Sequence, residues 1–142
     1  MAAIDNTMIS NILNATTPTG AAGIPGTFTA LGGTAMKVRL NSGTSTASAA
    51  GTELTGTGYV AGGTAVPAAS AASSAGSAVT LPATSALSWT NGSGGAWSIQ
   101  SMDLTSSAGT RAWWGNFTGA PIAVANGNTF QVAVAGISIS LT

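Results

Sequence analysis

The sequence predicts an all-β protein, an antiparallel β-sandwich of jelly-roll-like character with one short N-terminal helix. Two observations carry this. Short segments in which large apolar residues alternate with polar ones recur along the chain, and most are bounded by glycine-rich or Asn-Gly turns. A helical spacing of apolar residues occurs clearly only near the N-terminus.

Taken in order, Ile4 to Asn14 reads as the helix. Asp5 or Asn6 can cap it, and Met8/Ile12 and Ile9/Leu13 are i,i+4 pairs on one stripe. The stretch 16–33 is a Gly/Pro/Thr connector in which Pro18 and Pro25 block regular structure. Residues 1–33 are thus a helix and loose arm, and 34–142 the body of a single domain, 1–142. "MKVRL" is the first clear strand, with Met36, Val38 and Leu40 alternating against Lys37 and Arg39. A polar loop, 41–51, follows. Val60 to Val66 reads as a strand among glycines, and Ala68 to Ser77 as a low-complexity loop or flat strand. Val79 to Trp89 gives one or two strands broken at Pro82, and "NGSGG" (91–95) a turn. "AWSIQSMDL" is a strand whose phase slips between Ile99 and Met102, which predicts a bulge. "TSSAG" turns the chain back into "TRAWWGNF". After "TGAPIAV" and the turn "ANGN", the last strand carries Phe130, Val132 and Val134 on one parity and Ile137, Ile139 and Leu141 on the other. Gly136 sits at the switch, where a bulge would rephase it; all six are expected to be buried.

The doublet in "RAWWGNF" raises a question of faces, because neighbours on a strand point opposite ways. Trp113, Gly115 and Phe117 share one face, and Ala112, Trp114 and Asn116 the other. The larger apolar area assigns the first to the core. The expected core is Trp97, Trp113, Phe117, Phe130, Ile137 and Ile139. Trp114, Asn116 and Arg111 are the candidate interface or ligand face. Asp103 and Arg111 flank "LTSSAGT" symmetrically and are expected to pair across that hairpin at the surface.

Composition excludes more than it selects. Without cysteine there are no disulfides, zinc–thiolate sites or thiol nucleophiles. No basic block suggests nucleic acid, and no apolar run approaches the ~20 residues that span a bilayer. The N-terminus lacks the pattern of a secretory signal. There is no histidine, and the carboxylates are Asp5, Glu53 and Asp103. A two-carboxylate glycosidase would need Glu53 and Asp103 to flank one cleft; surface ion pairs are expected instead. The serines lack a base, Lys37 lying on the outward parity of its strand. No carboxylates cluster as calcium requires, and "GTGYVAGG" is not followed by a phosphate-loop pattern. No enzyme, cofactor or metal is therefore expected. A chain that is 4% charged with net charge zero is expected to live in an assembly, because charge is what normally keeps proteins apart.

The order of four segments adds a resemblance: "DNTMISNILNATT", "MKVRLNSG", "GTELTGTGYVAGG" and the block from "WSIQSMDL" through "RAWWGNF" to "VAVAGISISL". This order resembles small β-sandwich virion structural proteins of tailed bacteriophages, the tail-fibre-like and head-decoration family, over nearly the whole chain. The resemblance implies a non-enzymatic protein on the outer surface of the particle. It implies a capsid decoration or cement protein, acting as a symmetric homo-oligomer such as a homotrimer. Its partners would be itself and the major capsid protein or other virion proteins, with no nucleic acid and no membrane. Trp114 would then cover a subunit seam. The alternative is a tail or fibre adhesin, with Trp114 as a stacking platform for a host surface carbohydrate and Asn116 and Asn126 as its hydrogen-bonding groups. A filament subunit is a third reading, and would need a non-closing contact.

Overall fold

Alternation along the chain produces strands, but in β2 and β7 the second face is covered rather than solvated. A computed structural model describes residues 3–4, 36–66, 79–81 and 84–139. Among these there are eleven strands and no helix. They are β1 (Ala3–Ile4), β2 (Lys37–Asn41), β3 (Thr64–Ala65), β4 (Val79–Leu81), β5 (Leu87–Thr90) and β6 (Trp97–Ile99), then β7 (Ser101–Thr105), β8 (Arg111–Asn116), β9 (Ile122–Val124), β10 (Thr129–Val132) and β11 (Ile137–Ile139). Every pairing is antiparallel. The order β1-β8-β7-β2-β3 forms a five-stranded sheet, and β10-β5, β11-β4 and β6-β9 form three two-stranded ladders.

One apolar cluster joins the five-stranded sheet and the three ladders; the side chains of β1 and β4 are outside the description. Val38, Leu40 and Leu104 enter it from the five-stranded sheet, Leu87, Trp89 and Val132 from β5 and β10, and Trp97, Ile99, Val124 and Ile137 from the others. Trp89 lies 6.0 Å from Phe130, centroid to centroid, and Phe117 meets Phe130 edge-on at 5.8 Å, both within the favourable range for aromatic pairs. Of the expected core, Trp97 and Ile137 are buried, whereas Trp113, Phe117, Phe130 and Ile139 are half-buried at its margin.

Four expectations change. The helix from Ile4 is corrected at its first residue, since Ile4 pairs with Trp113 in β1. Residues 5–14, the connector and the segment 68–77 lie outside the described residues. The slip between Ile99 and Met102 is not a bulge within one strand. Gln100 is where the chain leaves the β6–β9 ladder and enters the five-stranded sheet, its N–H donating to Asn41 O at 2.8 Å. The bulge lies instead in β8, where Arg111 pairs with Thr105 and Trp113 with Leu104, leaving Ala112 as the extra residue.

The C-terminal segment is two strands rather than one. A turn at 133–136, closed by Gly136 N–H to Ala133 O at 2.9 Å, separates β10 from β11 and leaves Val134 49% exposed. Gly136 is required by close approach: a Cβ there would sit 2.8 Å from Ala133 O. Leu141 is outside the described residues. In the region 60–66 only Thr64 and Ala65 are strand, and Val60 stands 63% exposed on a turn. The turns at "NGSGG", "TSSAG" and "ANGN" form as expected.

Gly58 shows what the glycine-rich centre does. It adopts φ +94°, and a Cβ there would lie 1.8 Å from Thr90 O, so the backbone of 57–58 runs directly against the end of β5. Gly58→Ala is expected to cost at least about 1 kcal/mol in urea unfolding, because both the conformation and the space forbid a side chain. Gly94→Ala, also at positive φ but with open space around it, should cost less.

Candidate functional site

The polar face of the five-stranded sheet collects most of the chain's charge. By register, Arg39 stands opposite Asp103 and Asp103 opposite Trp114, while Asn41 stands opposite Ser101 and Ser101 opposite Asn116. Antiparallel partners point to the same side, so β2, β7 and β8 present one row of Arg39, Asp103 and Trp114 and another of Asn41, Ser101 and Asn116. The loop 42–52 closes over this face. Asn41, Ser45, Ser101, Asp103 and Thr105 are all buried.

Asp103 has no exposed surface, and its carboxylate accepts from Arg39 Nη2 on Oδ2 and from Ser45 Oγ on Oδ1 at 2.8 Å. Arg111 Nη1 stands 3.9 Å from the same Oδ1. A carboxylate taken out of water must be paired and hydrogen-bonded, and this one is both. The loop is tied down by the groups around it. Asn116 clasps Ser45, accepting from its N–H at 2.9 Å and donating to its carbonyl at 3.1 Å. Arg111 donates to the carbonyls of Thr46 and Ala49 at 2.7 Å each. Ser45 Oγ also accepts from Gly51 N–H at 2.9 Å, and Ser101 Oγ donates to Gly43 O at 2.7 Å.

These contacts revise the expected site. Asp103 and Arg111 do approach, but at the limit of ion-pair reach and in the interior, with Arg39 as the closer partner. The register sets Trp114, not Arg111, opposite Asp103, and the bulge at Ala112 brings Arg111 opposite Thr105, on Asp103's face of the sheet, with its guanidinium over the loop. Arg111 and Asn116 are clamps on 42–52, and Asn126 accepts from Gly94 N–H at 2.9 Å. Among the described residues, Glu53 and Asp103 form no surface ion pairs. Glu53 accepts instead from Tyr59 Oη at 2.9 Å and Gly62 N–H at 2.6 Å. Ser45 does touch a carboxylate, but at 1% exposure it has no access to a substrate.

Tyr59 completes the closure of the other sheet edge. Its hydroxyl donates to Glu53 and accepts from Leu40 N–H at 3.2 Å, next to the bridge between Asn41 and Glu53. Burial first, then the hydrogen bond to Glu53 and its charge, holds the Tyr59 hydroxyl protonated well above the usual phenol range. A group raised in the folded state contributes stability below its unfolded pKa of about 10 and loses it as pH rises beyond that. Unfolding free energy should therefore fall above about pH 10, and the fall should be shallower in Tyr59→Phe. Urea titrations of both proteins between neutral pH and pH 11 read this directly.

At the opposite edge, Trp113 and Trp114 pair with Ile4 and Ala3 of β1. Both indoles are half-buried, and both indole N–H groups are shielded without a hydrogen-bond partner. Trp114 is therefore not a bare platform even within one chain. Beside it lies a groove of about 280 Å³ whose lining includes Met102, Trp113, Phe117 and Ile137. No group of three or more metal-ligating side chains occurs among the described residues. Comparison with protein-family models, curated proteins and solved structures finds no match.

The buried ionic face escaped the sequence reading because Lys37 and Arg39 look like an outward parity. The signal present was in β7, where Ser101, Asp103 and Thr105 make up a parity that carries no large apolar residue.

Proposed function

We propose that this chain is a non-enzymatic structural protein of a tailed-bacteriophage virion, a decoration or cement protein that sits as a symmetric oligomer, such as a trimer, on the outer surface of the head lattice. The body reads as a two-layer β-sandwich of jelly-roll-like character, built on the five-stranded sheet and the shorter ladders that share its core. The observation that carries the assembly reading is where the charge goes. Arg39, Asp103, Arg111 and Glu53, four of the six charged residues, hold loops and strands in place. With its charges turned inward, the chain has little to oppose association. The half-buried tryptophan doublet beside an apolar groove supplies the kind of surface that association covers. Placement in a virion rests on the ordered resemblance of its segments.

Trp114→Ala is expected to weaken self-association by about 2 kcal/mol or more, with a smaller loss of subunit stability. Sedimentation velocity beside a thermal melt separates the two. The functional test uses heads assembled without this chain. They should burst under milder heat or osmotic shock than complete heads, and added purified protein should restore resistance. Heads of unchanged resistance on particles that no longer adsorb to cells would favour the carbohydrate-binding adhesin.

A further inference from the structure

The sequence contains two Asn-Gly steps, Asn91-Gly92 and Asn126-Gly127. Asn-Gly is the dipeptide most prone to deamidation, because glycine leaves the following backbone nitrogen unhindered. The fold places the two in opposite circumstances. Asn91 is fully buried, and its side chain is held on every side. Nδ2 donates to Gly95 O at 2.8 Å and Val124 O at 2.7 Å, while Oδ1 accepts from Ser93 N–H at 2.9 Å and Ser93 Oγ at 2.7 Å. The nitrogen that would attack it, Gly92 N, is itself donating to Thr57 O at 2.9 Å. Asn126 is exposed at the turn that Asn128 N–H closes on Ala125 O at 3.0 Å, and among the described residues its amide oxygen accepts one hydrogen bond, from Gly94 N–H. Its attacking nitrogen, Gly127 N, donates to Asn91 O at 2.7 Å.

We infer that Asn126 is a covalent modification site of the folded protein, converting by deamidation to aspartate and isoaspartate, while the chemically equivalent Asn91 is protected. The step needs only water. Gly127 N loses its proton to solvent base and forms a bond to Asn126 Cγ; the Cγ–Nδ2 bond breaks and ammonia leaves with that proton. Water then opens the cyclic imide at either carbonyl, with no change of oxidation state. Opening is what sets the rate, since Gly127 N must first leave Asn91 O. That requires local fraying of an exposed turn, whereas reaction at Asn91 requires loss of a buried network. The product matters on this chain because it adds a negative charge to a protein of net charge zero. The isoaspartyl form also lengthens the backbone within the turn that donates to Asn91.

The test is incubation of the intact protein at mildly alkaline pH with peptide mapping over time. Trypsin cleavage after Arg111 puts Asn91 and Asn126 on different peptides. In the folded protein, conversion at Asn126 should be at least about tenfold faster than at Asn91, the factor that an extra opening free energy of only about 1.4 kcal/mol imposes. In urea the two should convert at similar rates. Equal folded-state rates, or an unchanged Asn126 where the unfolded chain converts, would overturn the assignment. Asn126→Asp should fold and reproduce the acidic species; failure of that variant to fold would show that the turn cannot hold the product.

Discussion

Asp103→Ala should destabilise the protein by about 3–5 kcal/mol, the loss typical of removing one partner from a buried ion pair. The carboxylate has no exposed surface, and it faces Arg39 directly and Arg111 at the edge of reach. Its removal leaves the partly buried Arg39 guanidinium without its carboxylate partner, and Ser45 without the acceptor that anchors the loop. Asp103→Asn keeps the shape and one acceptor, so it should lose less. The double substitution Arg39→Met with Asp103→Leu should recover much of the loss, since a buried pair replaced by apolar groups is often neutral. Urea unfolding of wild type, Arg39→Met, Asp103→Leu and the double variant supplies the cycle. Added salt should change the wild-type stability little, because a largely buried pair is screened much less than an exposed one.

Trp89→Ala is the second large loss, expected at about 3–5 kcal/mol. Trp89 is 2% exposed, packs on Phe130, and sends its indole N–H to Thr64 Oγ1 at 2.8 Å. That contact runs from β5 to β3, so one side chain ties a two-stranded ladder to the edge of the five-stranded sheet. Trp89→Phe should lose the hydrogen bond but keep much of the packing, and fall between wild type and alanine. A single cooperative thermal transition in both variants would show that the ladders and the sheet unfold together.

How far the sequence could be read depended on distance along the chain. The strands β2, β5 and β10 and the turns at 91–95 and 125–128 were legible because alternation and turn chemistry act over a few residues. Asn91, for instance, organises its own turn through Ser93 and Gly95. The buried ionic face was not legible. Arg39 and Asp103 are 64 positions apart, and Ser45 and Asp103 are 58 apart. Only the register of β2 with β7 brings the first pair together, and only the closure of 42–52 brings in the second. That loop, rich in Ser, Thr and Ala, carries no local sign of being a lid over a charged interior. The same limit explains Arg111 and Asn116, which read as free to meet a ligand and instead grip that loop. At the C-terminus the change of parity at Gly136 was visible, but a bulge and a turn between two ladders leave the same mark in the sequence.

The most direct measurement of the central proposal is a cryo-EM map of the tailed-phage particle proposed to carry this chain. The account predicts this β fold as a closed ring repeated at equivalent sites on the outside of the head lattice, with the Trp113–Trp114 edge covered by a neighbouring chain. Density confined to a few copies at the tail tip, with that edge open to solvent, would contradict it.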